Sequence, residues 1–322
     1  SLIRNKDREI ARLNTVYRNL LSSQGVKLFE SRATVLSPHS VMVGDRTITT
    51  ANILVASGGW PTVPNIPGKE HAITSNEAFQ LAEMPKHIVI VGGGYIAVEF
   101  AGIFNGLGAE VIQLYRGPLF MRGFDIDVRN TLADEMRKQG IDLRFDTAIA
   151  GIQQNHRGLT TTLKNGQPLR TDAVMFATGR LPNTRGLGIE EIGVEVAPNG
   201  AVVVGEHFQT NVPSVYALGD VTNKVNLTPV AIAEAMTFAR TIFKDDVASM
   251  DYRNIPSAVF SQPPVATVGY TEEAARKHCK KVDVYRSTFK PLKHTLSGRT
   301  EKTMMKLIVE RATDRVVGCH MV

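Results

Sequence analysis

The sequence predicts an α/β protein: two Rossmann-like, three-layer nucleotide-binding domains plus a partial α+β domain at the C-terminal end. Three observations predict it. Residues 89–102 read VIVGGGYIAVEFAG, an apolar strand running through glycines into a helix. The stretch ANILVASGGWP (51–61) is echoed by DAVMFATGRLP (172–182) and, more loosely, by VPSVYALGD (212–220), each an apolar strand ending in small residues and glycine. Such ends let a backbone come close to a ligand or a crossing chain, so three of them indicate two stacked nucleotide-binding units with the chain passing between them. The length of 322 residues also exceeds the usual size of one domain, and more than one core is expected.

The elements follow in chain order. Ile3, Ile10, Leu13, Tyr17, Leu20 and Leu21 recur on a helical period between charged residues, so an amphipathic helix opens the chain over 3–24. Residues 26–29 and 41–43 read as short strands, the second closed by a turn at Gly44-Asp45 before 46–50. Residues 87–91, 92–106 and 110–115 form strand, turn with helix, and strand, followed by a helix near 127–139. A β-ribbon comes next, turning at Asn165-Gly166. Residues 229–243 read as a helix, and new strands from about residue 253 with a helix beginning at Thr271 mark a further domain. The predicted segments are 1–59, 60–182, 183–252 and 253–322, the first and third belonging to one nucleotide-binding domain.

Composition narrows the functional classes. The chain is 43% hydrophobic and 21% charged, without a low-complexity tract, and no apolar run reaches the roughly 18 residues needed to span a bilayer. The net charge of +6 is scattered, with only short pairs such as Lys280-Lys281, which suits small anionic ligands better than nucleic acid. Cys279 and Cys319 stand far apart with no C-x-x-C spacing, so both are expected to be ordinary half-buried residues and no metal site is expected. The sequence starts at Ser1 without a leader and stops inside the β-like run VVGCHMV, which reads as a piece whose true ends lie beyond it; the cytoplasm is the expected location.

Gly92, Gly94 and Ala97 fit G-x-G-x-x-G/A between a predicted strand and a predicted helix. The first glycine makes the tight turn, the second lets amides approach a pyrophosphate, and Ala97 lets helix and strand pack closely. An NAD site places an acid about 20 residues after the first glycine to bind the ribose 2′-OH. Here that region reads Gln113, Leu114, Tyr115, Arg116, with Arg122 beyond. Two guanidiniums in place of an acid would clamp a 2′-phosphate, so NADPH is the expected cofactor. Glu99 lies in the motif helix between Val98 and Phe100, and a partly buried carboxylate there requires a cation or hydrogen-bond donors from elsewhere in the chain.

GGGYIAVEFAG, the arginines of YRGPLFMRGFD, ATGRLPNT, YALGDV and LTPVAIAEA, in this order and spacing, resemble the flavoprotein disulfide reductase family, and within it the glutathione reductase branch. The resemblance covers essentially the whole chain. It implies FAD beside NADPH, glutathione disulfide as substrate, and a homodimer built through the domain beginning near residue 253. By position, Tyr95 resembles the tyrosine that covers the nicotinamide side of the flavin, and Glu99 the glutamate paired to a lysine near it. Arg116 and Arg122 match the 2′-phosphate arginines, while Gly179 and Arg180 of ATGR lie near the cofactors. Gly219 and Asp220 of ALGD match the turn whose carboxylate binds the flavin ribityl chain, and Thr228 starts a helix pointing at the flavin pyrimidine. Tyr17 resembles a tyrosine lining the glutathione site.

The departures from the family pattern are specific. The first G-x-G-x-x-G, the redox C-x-x-x-x-C and the H-P-T histidine are not in these residues, and Cys279, Cys319, His278, His294 and His320 do not match them. The chain by itself is therefore expected not to turn over a disulfide. Met236, with Glu234 nearby, stands where several glutathione reductases carry an arginine, although LTPVAIAEA without it also resembles plant-type and some bacterial glutathione reductases. That position leaves a trypanothione-type or other disulfide reductase of the same family as one alternative. A non-catalytic dinucleotide-binding protein is the other, which would not need Asp220, Thr228 and Arg180.

Overall fold

In the computed structural model, which describes residues 2–156, 158–244 and 246–322, the opening apolar period forms helix α1 (Leu2–Ser23), with no described residue of it buried. Its apolar face, including Ile10, Tyr17 and Leu20, is exposed. The strand predicted over 26–29 does not form. Val26, Leu28 and Phe29 are exposed there, and without a neighbouring strand to take up its amides an apolar run does not stay extended as a ladder.

An antiparallel sheet follows: β1 (Ala33–Ser37), β2 (Ser40–Val43) and β3 (Arg46–Thr49), with Gly44-Asp45 at the second turn. Then come β4 (Ile53–Val55) and β5 (Gly59–Pro61). After a one-turn helix α2 (Ser75–Ala78), closed by a Thr74/Glu77 capping box, the chain builds a parallel sheet. It contains β6 (His87–Val91), β7 (Glu110–Leu114) and β8 (Asp142–Arg144), with α3 (Tyr95–Gly106) and α4 (Ile126–Lys138) as crossovers. An antiparallel ribbon of β9 (Ile149–Asn155), β10 (Gly158–Leu163) and β11 (Pro168–Thr171) turns at Asn165-Gly166. Strand β12 (Ala173–Phe176) then completes the parallel sheet in the order β12-β6-β7-β8. Val98 and Leu132 are fully buried between these helices and the sheet, and each such side chain contributes about 2 kcal/mol.

The three echoed segments take different places. β14 (Val215–Ala217) pairs in parallel with β4, Val215 opposite Ile53, while β12 pairs with β6. The closing halves of the first two copies, β5 and β13 (Arg180–Pro182), pair with each other. Helix α5 (Thr228–Phe243) follows, and the C-terminal residues form a five-stranded antiparallel sheet in the order β15-β16-β19-β18-β17. Its strands are β15 (Ser257–Val259), β16 (Val265–Gly269), β17 (Val282–Phe289), β18 (Thr303–Glu310) and β19 (Arg315–Met321). Helix α6 (Glu272–His278), capped by Thr271, and the short α7 (Lys293–Ser297) connect them.

The chain divides into two units: residues up to Trp60 with Arg180–Asp251, and Pro61–Gly179 with Tyr252–Val322. Among the described residues no helix is long and apolar enough to cross a membrane, and no cluster of His, Cys, Asp and Glu has the makings of a metal site.

Candidate functional site

In the unit containing Pro61–Gly179, β6 ends in a turn that only glycine permits. Gly92 has φ +154°, and a Cβ there would lie 2.2 Å from the Ala177 carbonyl oxygen. At Gly93 a Cβ would fall 2.3 Å from the Tyr115 ring, so the chain crosses directly over that ring. Gly94 is the N-cap of α3; no side chain caps the helix, and a Cβ at Gly94 would meet nothing within 4 Å. The open space at a helix N-terminus, with Ala97 fully buried behind it, fits a pyrophosphate, which binds the helix's partial positive charge and N–H groups. Gln113, buried in β7, donates from Nε2 to the Gly92 carbonyl (3.1 Å), while its Oε1 has no partner among the described residues.

Tyr95 is the first residue of α3 and partly exposed. Glu99, one turn on, is half-buried, and its Oε1 accepts the Phe260 N–H at 2.8 Å. The expected donor from a distant part of the chain is thus a backbone amide; the lysine implied by the family resemblance is not among the described contacts of Glu99.

Arg116 and Arg122 follow β7 on a loop over residues 115–124. Both are exposed, and no carboxylate among the described residues pairs with either. The loop itself is fixed. Met121, buried and in the left-handed region, donates its N–H to the Gly93 carbonyl at 2.6 Å. Arg129 donates to the carbonyls of Phe120 (2.7 Å) and Leu119 (2.6 Å). Two free guanidiniums on a loop tied to the glycine turn can take an anion at that end of a dinucleotide.

The loop ends in a buried ion cluster. Lys306, from β18 and fully buried, places Nζ 2.9 Å from Asp125 Oδ1, 2.7 Å from Asp127 Oδ2 and 2.7 Å from Glu272 Oε2. Asp125 also accepts the N–H groups of Asp127 (3.0 Å) and Glu272 (2.9 Å), so one carboxylate caps both α4 and α6. Burial pushes the Asp125 carboxyl up, but the Glu272 amide, the Lys306 ammonium and the Asp127 amide outweigh it and hold it below the usual carboxylate range. Lys306 and Arg276 hold Glu272 low as well. Burial pulls Lys306 down, yet its bonds to Asp127, Glu272 and Asp125 outweigh that and raise it.

The pH dependence follows from these directions. Depressed carboxylates contribute stability that is complete above their unfolded values, about 3.9 to 4.3, and lost as pH falls through the lower folded values. The raised lysine contributes stability that is complete below about 10.4 and lost as pH rises through its higher folded value. Urea midpoints measured from neutral to acid pH are expected to fall for the wild type below about pH 4, and Lys306→Met is expected to flatten that limb. At neutral pH the same substitution should cost about 3 kcal/mol, because it leaves the buried Asp125 carboxylate without its cation.

The second group of predicted residues lies mainly in the other unit. Gly219 is buried and left-handed (φ +73°), and its N–H donates to Glu234 Oε2 at 2.7 Å. Asp220, half-buried, follows in a single 3-10 turn (Gly219–Thr222). A Cβ at Gly59 would lie 3.6 Å from both Asp220 Cβ and Arg180 Nε, and Arg180 donates to the Gly59 carbonyl. A Cβ at Gly219 would lie 3.3 Å from Ala231 of α5, whose first residue, Thr228, is exposed and whose N-terminus carries no side-chain cap. Gly59, Arg180, Gly219 and Asp220 are therefore gathered beside the start of α5. An uncapped helix start next to a carboxylate and a guanidinium suits a polar ring system with hydroxyl groups attached. Gly179 (φ +133°) directly precedes Arg180 in the chain. Tyr17 is exposed on α1, and no described contact joins it to this group.

Glu234, only 1% exposed, is the support that sequence reasoning passed over in this unit. Glu234→Ala leaves the buried Gly219 amide without this acceptor, an expected loss of about 1–3 kcal/mol. The check is a urea melt, whose midpoint is expected to fall.

Comparison with known proteins gives two family matches. Residues 2–235 match the pyridine nucleotide-disulphide oxidoreductase family, and residues 255–322 match its dimerisation domain. A glutathione reductase from Burkholderia cepacia is 47% identical over 322 residues, covering 100% of this chain and 72% of that protein. The chloroplastic/mitochondrial glutathione reductase of Pisum sativum is also 47% identical, with 100% and 58% covered. A trypanothione reductase from Trypanosoma congolense is 38% identical, with 100% and 68% covered. Among solved structures, the HOCl-induced flavoprotein disulfide reductase RclA from Escherichia coli superposes with a TM-score of 0.90 at 28% identity, covering 99% of this chain and 74% of that one.

Proposed function

The chain belongs to the pyridine nucleotide-disulphide oxidoreductase family, and from that premise we propose that it serves an NADPH-dependent, FAD-containing reductase of glutathione disulfide. The observation that carries the NADPH part is the pair Arg116 and Arg122, exposed and without carboxylate partners among the described residues, on a loop bonded to the glycine turn. Relatives of 47% identity bearing the glutathione reductase name support the substrate.

The protein's own residues have distinct tasks in this reading. The α3 N-terminus and the space at Gly94 receive the dinucleotide pyrophosphate. Arg116 and Arg122 select the 2′-phosphate by charge-assisted bonds. Tyr95 and Glu99 stand at the start of the same helix, where a nicotinamide would lie close by. Asp220 and Arg180 offer an acceptor for ribityl hydroxyls and a fixed cation, and the α5 start at Thr228 favours negative charge on a reduced ring. The flavin, when bound, supplies the acceptance of hydride and the onward release of electrons toward a dithiol. No C-x-x-x-x-C pair is among these 322 residues. Self-association is assigned to the five-stranded C-terminal sheet, within the residues that match the dimerisation domain.

The test is NADPH oxidation by the protein as it occurs in its cell, with glutathione disulfide or trypanothione disulfide supplied in turn. Oxidation dependent on glutathione disulfide is expected. Met236, 64% exposed at the position where the family resemblance implies an arginine, favours the trypanothione-type reading enough to include that substrate. Faster turnover of trypanothione disulfide would select it.

A further inference from the structure

The Arg122 end of the loop that carries Arg116 and Arg122 is held at three places. Met121 bonds to Gly93, Arg129 bonds to the Leu119 and Phe120 carbonyls, and Asp125 begins α4 three residues after Arg122. Arg129 belongs to α4 itself, so two of the three anchors depend on where the first turn of α4 lies. That turn is fixed from outside the dinucleotide fold, by Lys306 on β18, which contacts Asp125 and Asp127 together.

Given the 2′-phosphate clamp proposed above, we propose that Lys306 is a positioning residue for NADPH selectivity: by locking Asp125 and Asp127 it holds the loop end that presents Arg122. The charges around it define what its removal does. Asp125, Asp127 and Glu272 all face the ammonium; Arg286 pairs with Asp127 at 2.6 Å and Arg276 with Glu272 at 2.7 Å, both through exposed guanidiniums. Neither arginine contacts Asp125, which is 1% exposed. Without Lys306, Asp125 meets two neighbouring carboxylates with no ammonium between them. Like charges in a poorly solvated space repel strongly. The first turn of α4 is the element free to relieve that repulsion by moving outward, and Arg122 moves with it. The glycine turn is not displaced by the same movement, because Gly92 is held by the Leu114 carbonyl and the Gln113 amide.

The consequence is specific. Affinity for the phosphorylated coenzyme falls, while affinity for its counterpart without the 2′-phosphate does not. Isothermal titration of the purified, folded protein with NADP⁺ and with NAD⁺ reads this directly. Lys306→Met is expected to weaken NADP⁺ about tenfold and NAD⁺ less than about twofold, the size of one charge-assisted interaction misaligned. Asp127→Asn, which removes one negative charge facing Lys306 and leaves Asp125 paired, should weaken NADP⁺ about threefold and supplies the answer if Lys306→Met does not fold. Glu272→Gln, which keeps the backbone amide on Asp125, should leave the NADP⁺/NAD⁺ ratio unchanged.

Equal losses for both coenzymes, or no loss for either, in the Lys306 and Asp127 variants would overturn the positioning role and leave a cluster that only stabilises the fold. The double variant Arg116→Ala/Arg122→Ala separates the two claims. If it leaves the preference intact, the clamp itself is wrong. If it abolishes the preference while Lys306→Met and Asp127→Asn keep it, only the positioning role fails.

Discussion

Replacing Arg116 and Arg122 together with alanine is expected to weaken NADP⁺ binding by roughly a hundredfold and to leave NAD⁺ within about threefold. A hydrogen bond to a charged group contributes about 1.5–3 kcal/mol, so two of them sum to about 3 kcal/mol or more, and each 1.4 kcal/mol is a factor of ten. Both side chains are exposed and make no ion pair among the described residues, so the substitution should change stability by less than about 0.5 kcal/mol. Titration calorimetry and a thermal melt on the same samples check both halves. Equal weakening of the two coenzymes would show that the arginines steer anions in general and do not read the 2′-phosphate.

The second large effect concerns the glycine turn, where neighbouring substitutions should fail for different reasons. At Gly92 an alanine Cβ would lie 2.2 Å from the Ala177 carbonyl oxygen and 2.8 Å from its carbon. That carbonyl cannot easily retreat, because the Ala177 N–H bonds to the Val91 carbonyl at 2.8 Å and fixes the end of β12 against β6. Overpacking against backbone combined with an unfavourable φ should cost about 3 kcal/mol or more. Gly94→Ala should fold normally, since its Cβ enters empty space. It should nonetheless lose dinucleotide binding, because the proposed reading puts the pyrophosphate in that space, against the α3 N-terminus. A melt and an NADP⁺ titration on each variant distinguish the two outcomes. Normal NADP⁺ affinity in Gly94→Ala would move the pyrophosphate elsewhere.

What the sequence made legible was local. The strand-glycine-helix run of 89–102 specified its turn, because Gly92 and Ala97 are required by contacts within one βαβ unit. The absence of an acid after β7 was equally readable, since Arg116 and Arg122 occupy the loop directly. The echoed segments announced strands that end in glycine, and all three form. Their pairing was not legible: nothing local tells β4 to lie beside β14 and β12 beside β6.

The supports of the site were legible least of all. Lys306 sits in TMMKLIVE, where an alternating strand pattern places a lysine on an inward position without saying which carboxylates await it 181 and 179 residues away. Glu234 reads as one polar residue of an apolar helix until the Gly219 amide is found against it. Glu99 raised the right question, a half-buried acid needing a donor, and the donor is the Phe260 amide, which carries no side-chain signal at all. The strand expected over 26–29 failed for the complementary reason. A suitable composition cannot make a ladder where the described residues supply no partner strand.

The most direct test of the central claim is the visible absorption spectrum of the purified protein, followed by anaerobic titration with NADPH and, separately, with NADH. The expected result is a bound-flavin band that NADPH bleaches at near-stoichiometric addition and that NADH bleaches only at much higher concentration. A flavin band bleached equally well by both coenzymes, or a protein that binds NADPH with no flavin present, would contradict it.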